Sequence, residues 1–255
     1  MSPGNTRAAI ALEICTDSVE SCLEAQKAGA TRVELCANLF EGGTTPSGGC
    51  ITLARQNLNI GLHVLLRPRG GDFCYSELEF EVMQRDLEFI KKAGCDGIVL
   101  GLLKPDGQID TVRTAALIAA ARPMSVTFHR AFDMTPDPIA ALEKLITLGI
   151  DRLLTSGQER TALEGSELIN QLVHKAQGKI IIMPGGGITE RNIARLRRET
   201  GASEFHMSAR KKMTGPMDFR NERVSMGGEL RLPEYERSLA DANRISGAFT
   251  ALNAV

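Results

Sequence analysis

Several short apolar runs along this chain carry polar residues at every second position. Ala11-Leu12-Glu13-Ile14-Cys15 sets Glu13 and Cys15 on one side, and Arg32-Val33-Glu34-Leu35-Cys36 sets Arg32, Glu34 and Cys36 there. Ser125-Val126-Thr127-Phe128-His129 and Glu204-Phe205-His206-Met207-Ser208 repeat the pattern. Side chains alternate across a strand, so each run predicts a β-strand with one apolar and one polar face. Where the apolar faces meet helices, the polar sets converge on a shared interior. Charge is costly there unless paired or hydrogen-bonded, so such a cluster points to function.

A recurring junction organises the rest. Ala28-Gly29-Ala30-Thr31-Arg32-Val33 returns as Ala93-Gly94-Cys95-Asp96-Gly97-Ile98, as Leu148-Gly149-Ile150-Asp151-Arg152-Leu153 and as Thr200-Gly201-Ala202-Ser203-Glu204-Phe205. Each copy has a glycine suited to a left-handed helix cap, a two-residue link and a strand. Strands that alternate with helices imply parallel βαβ units. Eight strands are predicted, near Ile10–Cys15, Arg32–Cys36, Leu62–Arg67, Gly97–Leu100, Ser125–His129, Arg152–Thr155, Ile180–Met183 and Glu204–Ser208. Predicted helices include Ser18–Ala28, Ser76–Ala93, Pro136–Leu148, Ser166–Lys175, Thr189–Thr200 and Pro233–Ala248, with Ser18 and Thr189 as N-caps and Pro138 in a first turn. Eight regularly spaced units favour an α/β fold of the closed (β/α)8 TIM-barrel type over a doubly wound sheet. No linker or composition shift divides residues 1–255, so a single domain is expected, with a flexible N-terminus over residues 1–8 and an irregular loop over residues 211–232.

Composition narrows the function classes. The chain of 255 residues is 43% hydrophobic and 24% charged, an ordinary globular balance, and its net charge of −1 gives no electrostatic case for nucleic acid. The start lacks the apolar core of a signal peptide, and no apolar run is long enough for a membrane span. Six cysteines without a Cys-x-x-Cys pair suit reduced thiols and a cytoplasmic location.

In a barrel of this kind the active site lies at the carboxyl ends of the strands. Glu13, Glu34, Arg67, His129 and His206 are expected to share that interior, as a site or as an ion-pair network that fills it. Glu13, Glu34, His129 and His206 are the catalytic candidates, with a carboxylate near His129 fixing its tautomer. The loop Arg67-Pro68-Arg69-Gly70-Gly71-Asp72-Phe73 suggests an anion fork of Arg67 and Arg69, or a pair of Arg67 with Glu34 or Glu13. Gly185, Gly186 and Gly187 follow the seventh strand and precede a predicted helix, a phosphate-binding arrangement that Ser208 and Arg210 would complete. Thr155 and Ser156 offer further donors. Cys15 and Cys36 end adjacent strands on one face, as two soft ligands for Cu(I) or as two small buried hydrophobes.

With these residues in view, the chain resembles the CutC family, named for copper homeostasis. The likeness is carried by Leu12-Glu13-Ile14-Cys15, Arg32-Val33-Glu34-Leu35-Cys36, Glu41-Gly42-Gly43-Thr44-Thr45-Pro46-Ser47 and the Arg67–Phe73 loop. Thr127-Phe128-His129-Arg130-Ala131-Phe132-Asp133-Met134, Leu154-Thr155-Ser156-Gly157 and Met183-Pro184-Gly185-Gly186-Gly187 extend it. The resemblance implies a cytoplasmic TIM barrel that self-associates as a homo-oligomer and binds copper as Cu(I), with Cys15 and Cys36 matching the family's copper-binding cysteines. Met207 stands where the family often has Cys or Ser, but alternation turns it toward the helices and away from the ligand set. Two functions are therefore expected: a Cu(I)-binding barrel, or an enzyme for a small phosphorylated or carboxylated metabolite at the strand ends.

Overall fold

The apolar faces of the strands do meet helices. A computed structural model describes residues 10–221, 223, 224 and 236–254. Its first eight strands are β1 (Ala11–Thr16), β2 (Arg32–Leu35), β3 (Gly61–Leu65), β4 (Gly97–Leu100), β5 (Ser125–Phe128), β6 (Arg152–Thr155), β7 (Ile181–Pro184) and β8 (Glu204–Met207). They run parallel in the order β7-β6-β5-β4-β3-β2-β1-β8. A parallel bridge between Gly185, just past β7, and His206 on β8 joins the two ends into a ring. The predicted (β/α)8 barrel is therefore present. Leu12, Ile14, Val33, Leu35, Val126, Phe128, Phe205 and Met207 point outward into one apolar cluster with the helices. Each large apolar side chain so buried contributes about 1.5–3 kcal/mol.

The helices are α1 (Val19–Lys27), α2 (Gly48–Asn57), α3 (Glu77–Lys92), α4 (Thr111–Ala121), α5 (Pro138–Leu148), α6 (Ser166–Ala176), α7 (Ile193–Thr200) and α8 (Ala242–Asn253). Their ends follow local chemistry. The Ser18 side chain accepts the Ser21 amide at the start of α1, and Ser76 with Glu79 forms a capping box on α3. Pro138 opens α5 behind the Asp137 cap. The four junction glycines, Gly29, Gly94, Gly149 and Gly201, all take positive φ between 72° and 92°, which lets each helix turn back into the next strand.

Two expectations about helix starts fail. Thr189 does not cap α7, which begins at Ile193. The Asn192 side chain accepts the Thr189 amide, and Thr189 Oγ1 accepts the Arg191 amide, so these short polar groups form a separate turn first. The last helix begins at Ala242 behind the Asp241 cap rather than near Pro233, a residue outside the described set. Between lies a hairpin that the sequence conceals. β9 (Arg210–Thr214) pairs antiparallel with β10 (Glu236–Ala240), so residues 211–214 are strand rather than irregular loop. These strands lack the apolar alternation of the barrel and pair across more than twenty residues, so no short-range pattern announces them. The Ala240 amide donates to Ser21 Oγ, which seats the hairpin on α1. The expected flexible segment 1–8 lies outside the described residues, as does the part of 211–232 made up of residues 222 and 225–232.

Inside the ring, β4 presents no bulk at two levels. A Cβ on Gly97 would sit 2.5 Å from the His63 ring, and one on Gly101, just past β4, would sit 2.4 Å from the His129 ring. Both imidazoles occupy space that these glycines leave free.

Candidate functional site at the barrel mouth

The polar interior has two levels. The lower one is built at the starts of β2, β6 and β8. Arg32 donates from Nε to Glu13 Oε2 at 2.5 Å and from Nη2 to Glu204 Oε2 at 2.8 Å. Arg152 holds the same Glu204 with two bonds, at 2.5 and 3.2 Å, and reaches Ser125 Oγ. His63 lies beside Glu13, with Nδ1 3.6 Å from Oε2. Burial lowers its pKa to about 4, so the ring is neutral. This level is an ion-pair network that fills the interior, but of the residues expected in such a network it contains only Glu13. Glu204 lies on the polar face of one of the alternating runs, whereas His63 and Arg152 were not singled out as interior partners, although alternation along Gly61-Leu62-His63-Val64-Leu65 carries the signal for His63.

Glu13 links this level to the mouth. Its Oε1 accepts His206 Nδ1 at 2.7 Å across neighbouring strands. Burial pushes the carboxyl pKa up, but Arg32 and His206 outweigh it and hold it well below the usual carboxylate range. Glu13 is thus a fixed anion that orients His206, which does not fit the expected acid/base role.

Above it, Cys15 Sγ and Cys36 Sγ stand 4.0 Å apart. Cys15, Glu34 and Cys36 bring one potential ligand atom each to within 4.8 Å of the others. The Cys36 hydrogen bond lowers the Cys15 pKa well below the thiol range, with His206 and Arg210 adding to it. The same contact raises Cys36, so the two sulfurs are pushed in opposite directions. Burial and the Cys15 charge raise Glu34. His206 Nε2 is 3.8 Å from Glu34 Oε2. Burial disfavours its charge, yet contacts with Cys15, Glu13 and Glu34 raise its pKa well above the usual value, so it is an imidazolium.

The cysteines form one wall of a cavity of about 370 Å³, lined also by Leu65, Arg67, Phe73, His129, Arg130 and Leu154. Here the expected partnerships change. No carboxylate fixes the tautomer of His129. The Ala131 amide donates to its Nδ1 at 3.0 Å, which places the ring proton on Nε2. Burial, reinforced by Arg67, lowers the pKa to about 3. Asp133 instead collects Thr155 Oγ1, the Ser156 amide and hydroxyl, and Arg130 Nε. Thr155 and Ser156 are therefore committed to an internal carboxylate rather than open to a ligand. Arg67 pairs with neither Glu34 nor Glu13. Its Nη1 donates to the Glu41 and Gly43 carbonyls and its Nη2 to the Gly71 carbonyl, while its guanidinium lies 5.0 Å from the Phe73 ring. Sequence reasoning missed Phe73 as a wall of the site.

The rest of the expected anion site is dispersed. Arg69 turns to Glu79 and Asp72, away from the cavity lining, so no two-arginine fork forms. Gly185, Gly186 and Gly187 do not line the cavity either. Added Cβ atoms there would meet Leu154, Arg130 and Thr161 at 2.4, 3.3 and 2.9 Å, and α7 starts six residues past Gly187 rather than on it. Ser208 and Arg210 also fall outside the lining, although the Arg210 charge reaches Cys15 and Asp17.

Every residue of this cavity lies within residues 10–211, the span matched by the sequence model of the CutC family. The chain belongs to the CutC family. The mouse protein named copper homeostasis protein cutC homolog is 50% identical over 234 residues, covering 92% of this chain and 86% of that protein. The family protein CutC of Bacteroides thetaiotaomicron is 50% identical over 241 residues, covering 94% of this chain and 97% of the other. Among solved structures, CutC from Streptococcus agalactiae aligns with a TM-score of 0.74 at 37% identity, over 77% of this chain and 97% of that one. Phosphoribosylanthranilate isomerase from Thermotoga maritima aligns at 0.55 and 12% identity, over 96% and 100% of the two chains, a likeness of fold alone.

Proposed function

We propose that this CutC-family barrel serves copper homeostasis by binding Cu(I) in the cytosol, with Cys15 and Cys36 as thiolate ligands and Glu34 beside them. The supporting observation is the Cys15–Glu34–Cys36 cluster at the mouth. Metal–thiolate bonds of about 2.3 Å, the zinc value, allow two sulfurs on one ion to stand up to about 4.6 Å apart. The 4.0 Å pair needs little movement to reach that arrangement. Two soft sulfurs select Cu(I) over hard cations. The mouse and human relatives carry copper homeostasis in their names. The six unpaired cysteines suit a reducing compartment.

The Cys36 contact lowers the Cys15 pKa, which favours Cys15 as a thiolate ligand, and binding through both sulfurs releases the thiol protons that remain. The His206 imidazolium then balances the surplus negative charge of two thiolates on a monovalent ion. An anaerobic Cu(I) titration against a competing chelator tests the reading. Wild type takes up one ion per chain, and Cys15→Ala/Cys36→Ala loses at least about 100-fold in affinity. Equal affinity and stoichiometry in the two proteins would end it.

A further inference from the structure

The same cavity holds two groups that the copper reading does not use. His129 is 7% exposed, and its Nε2 has no hydrogen-bond partner among the described residues. Its Nδ1 is occupied by the Ala131 amide, and its Nδ1–Cε1 edge backs onto Gly101, where a Cβ would lie 2.4 Å away. Nε2–H is thus a buried donor in a cavity-lining ring, held in one orientation on its other side. A buried donor left unmade is costly, so its survival in a site calls for an acceptor.

The second group is Arg67. It is 5% exposed, and its recorded hydrogen bonds go to three backbone carbonyls, with no carboxylate partner among the described residues. Carbonyls hold a guanidinium in place but do not neutralise it, so a positive charge remains at the wall. The other charges there are spoken for or distant. Arg130 is neutralised by Asp133, Glu34 lies with the cysteines, and Glu41 is exposed. Phe73 brings the two groups together, since Arg67 lies 5.0 Å from its ring and the His129 ring centroid is also 5.0 Å away. Leu65 and Leu154 add apolar lining.

We propose that this half of the cavity binds a small 2-oxo carboxylate or a carboxylate of similar size, with one ligand oxygen accepting His129 Nε2–H and the negative charge beside Arg67. The cavity of about 370 Å³, at the small end of ligand-pocket sizes, has room for a small carboxylate. A carboxylate fits better than a phosphoryl group, because one neutral imidazole and one largely occupied guanidinium offer few donors for a dianion. The neutral state of His129 makes it a donor of the kind that polarises a carbonyl.

The test uses the full chain, reduced and copper-free, with pyruvate, acetate and inorganic phosphate as probes in calorimetry and in ¹⁵N spectra of the histidine rings. Pyruvate is expected to bind saturably and to shift the His129 Nε2 resonance, with phosphate weaker. His129→Phe weakens pyruvate at least about tenfold, the effect of one lost hydrogen bond to a charged acceptor, whereas His129→Gln keeps it within about threefold. Cys15→Ala/Cys36→Ala, which removes the proposed copper ligands, still binds pyruvate saturably and more tightly than His129→Phe does, which separates this site from the copper reading. No saturable binding of either carboxylate up to about 10 mM, equal binding by His129→Phe, or tighter binding of phosphate would overturn the proposal.

Discussion

The two levels of the barrel interior treat buried charge in opposite ways. At the lower level, Arg32 and Arg152 share Glu13 and Glu204 through short hydrogen bonds, so two cations meet two anions. At the mouth, the Cys36 contact lowers the Cys15 pKa well below the thiol range, and among the described residues Arg67 has no carboxylate partner and His129 Nε2 no acceptor. The first pairs its charges internally, although His63 Nδ1 has no hydrogen-bond partner among the described residues. On the readings proposed above, the second is completed by a cation at the sulfurs and an anion beside Arg67 and His129. A closed network that needs nothing from outside is scaffold, whereas an open one is a site.

The largest effect should come from breaking the closed level. Arg32→Met leaves Glu13 and Glu204 each short of a partner and is expected to cost about 3–5 kcal/mol in urea unfolding, because removing one member strands the other buried charges. The cysteine double variant should cost much less stability while losing about 100-fold, roughly 2.7 kcal/mol, in Cu(I) affinity. Comparable losses of stability in both variants would erase the distinction between the levels. Acidification gives a third test. His129 is neutral when folded down to about pH 3, whereas an unfolded histidine takes up a proton below about 6.5. The unfolded state therefore binds more protons, and stability falls as pH drops through that window. His129→Gln should flatten the profile relative to wild type by up to about 1.4 kcal/mol per pH unit between about pH 6.5 and 5. Glu34, whose carboxyl pKa is raised, acts in the opposite sense in the same range, so the difference between the two proteins is the quantity to measure. The smallest effect belongs to Arg69→Ala. Its partners Asp72 and Glu79 are partly exposed, so it should cost under about 1 kcal/mol and leave Cu(I) and pyruvate binding unchanged.

Alternation and the junction glycines made the eight strands legible, because each depends on residues only a few positions apart. The shared face of Glu13, Glu34, His206 and the two cysteines was legible for the same reason. The division of labour among them was not. Glu13 and Glu34 occupy equivalent places in similar strands, yet register sets Glu13 against Arg32 and His206, while Glu34 lies opposite Cys15 and His63. One is fixed as an anion and the other pushed toward its acid form by partners distant in sequence. Loops misled for a related reason. Arg69, Thr155 and Ser156 look like ligand donors in isolation, and only folding shows that Glu79 and Asp133 reach them first. The β9–β10 hairpin escaped because its partners are joined by a long connection and its exposed face has no apolar beat.

Gly97 and Gly101 sit four residues apart on one edge of the interior, each where an imidazole lies. That strand side is a mould: its emptiness gives both rings their poses. A single methyl at position 101 would displace the His129 ring, so a residue with no side chain sets the pose of that imidazole from behind. Anyone reshaping this barrel for a new guest could begin with that hollow rather than with the groups that line it.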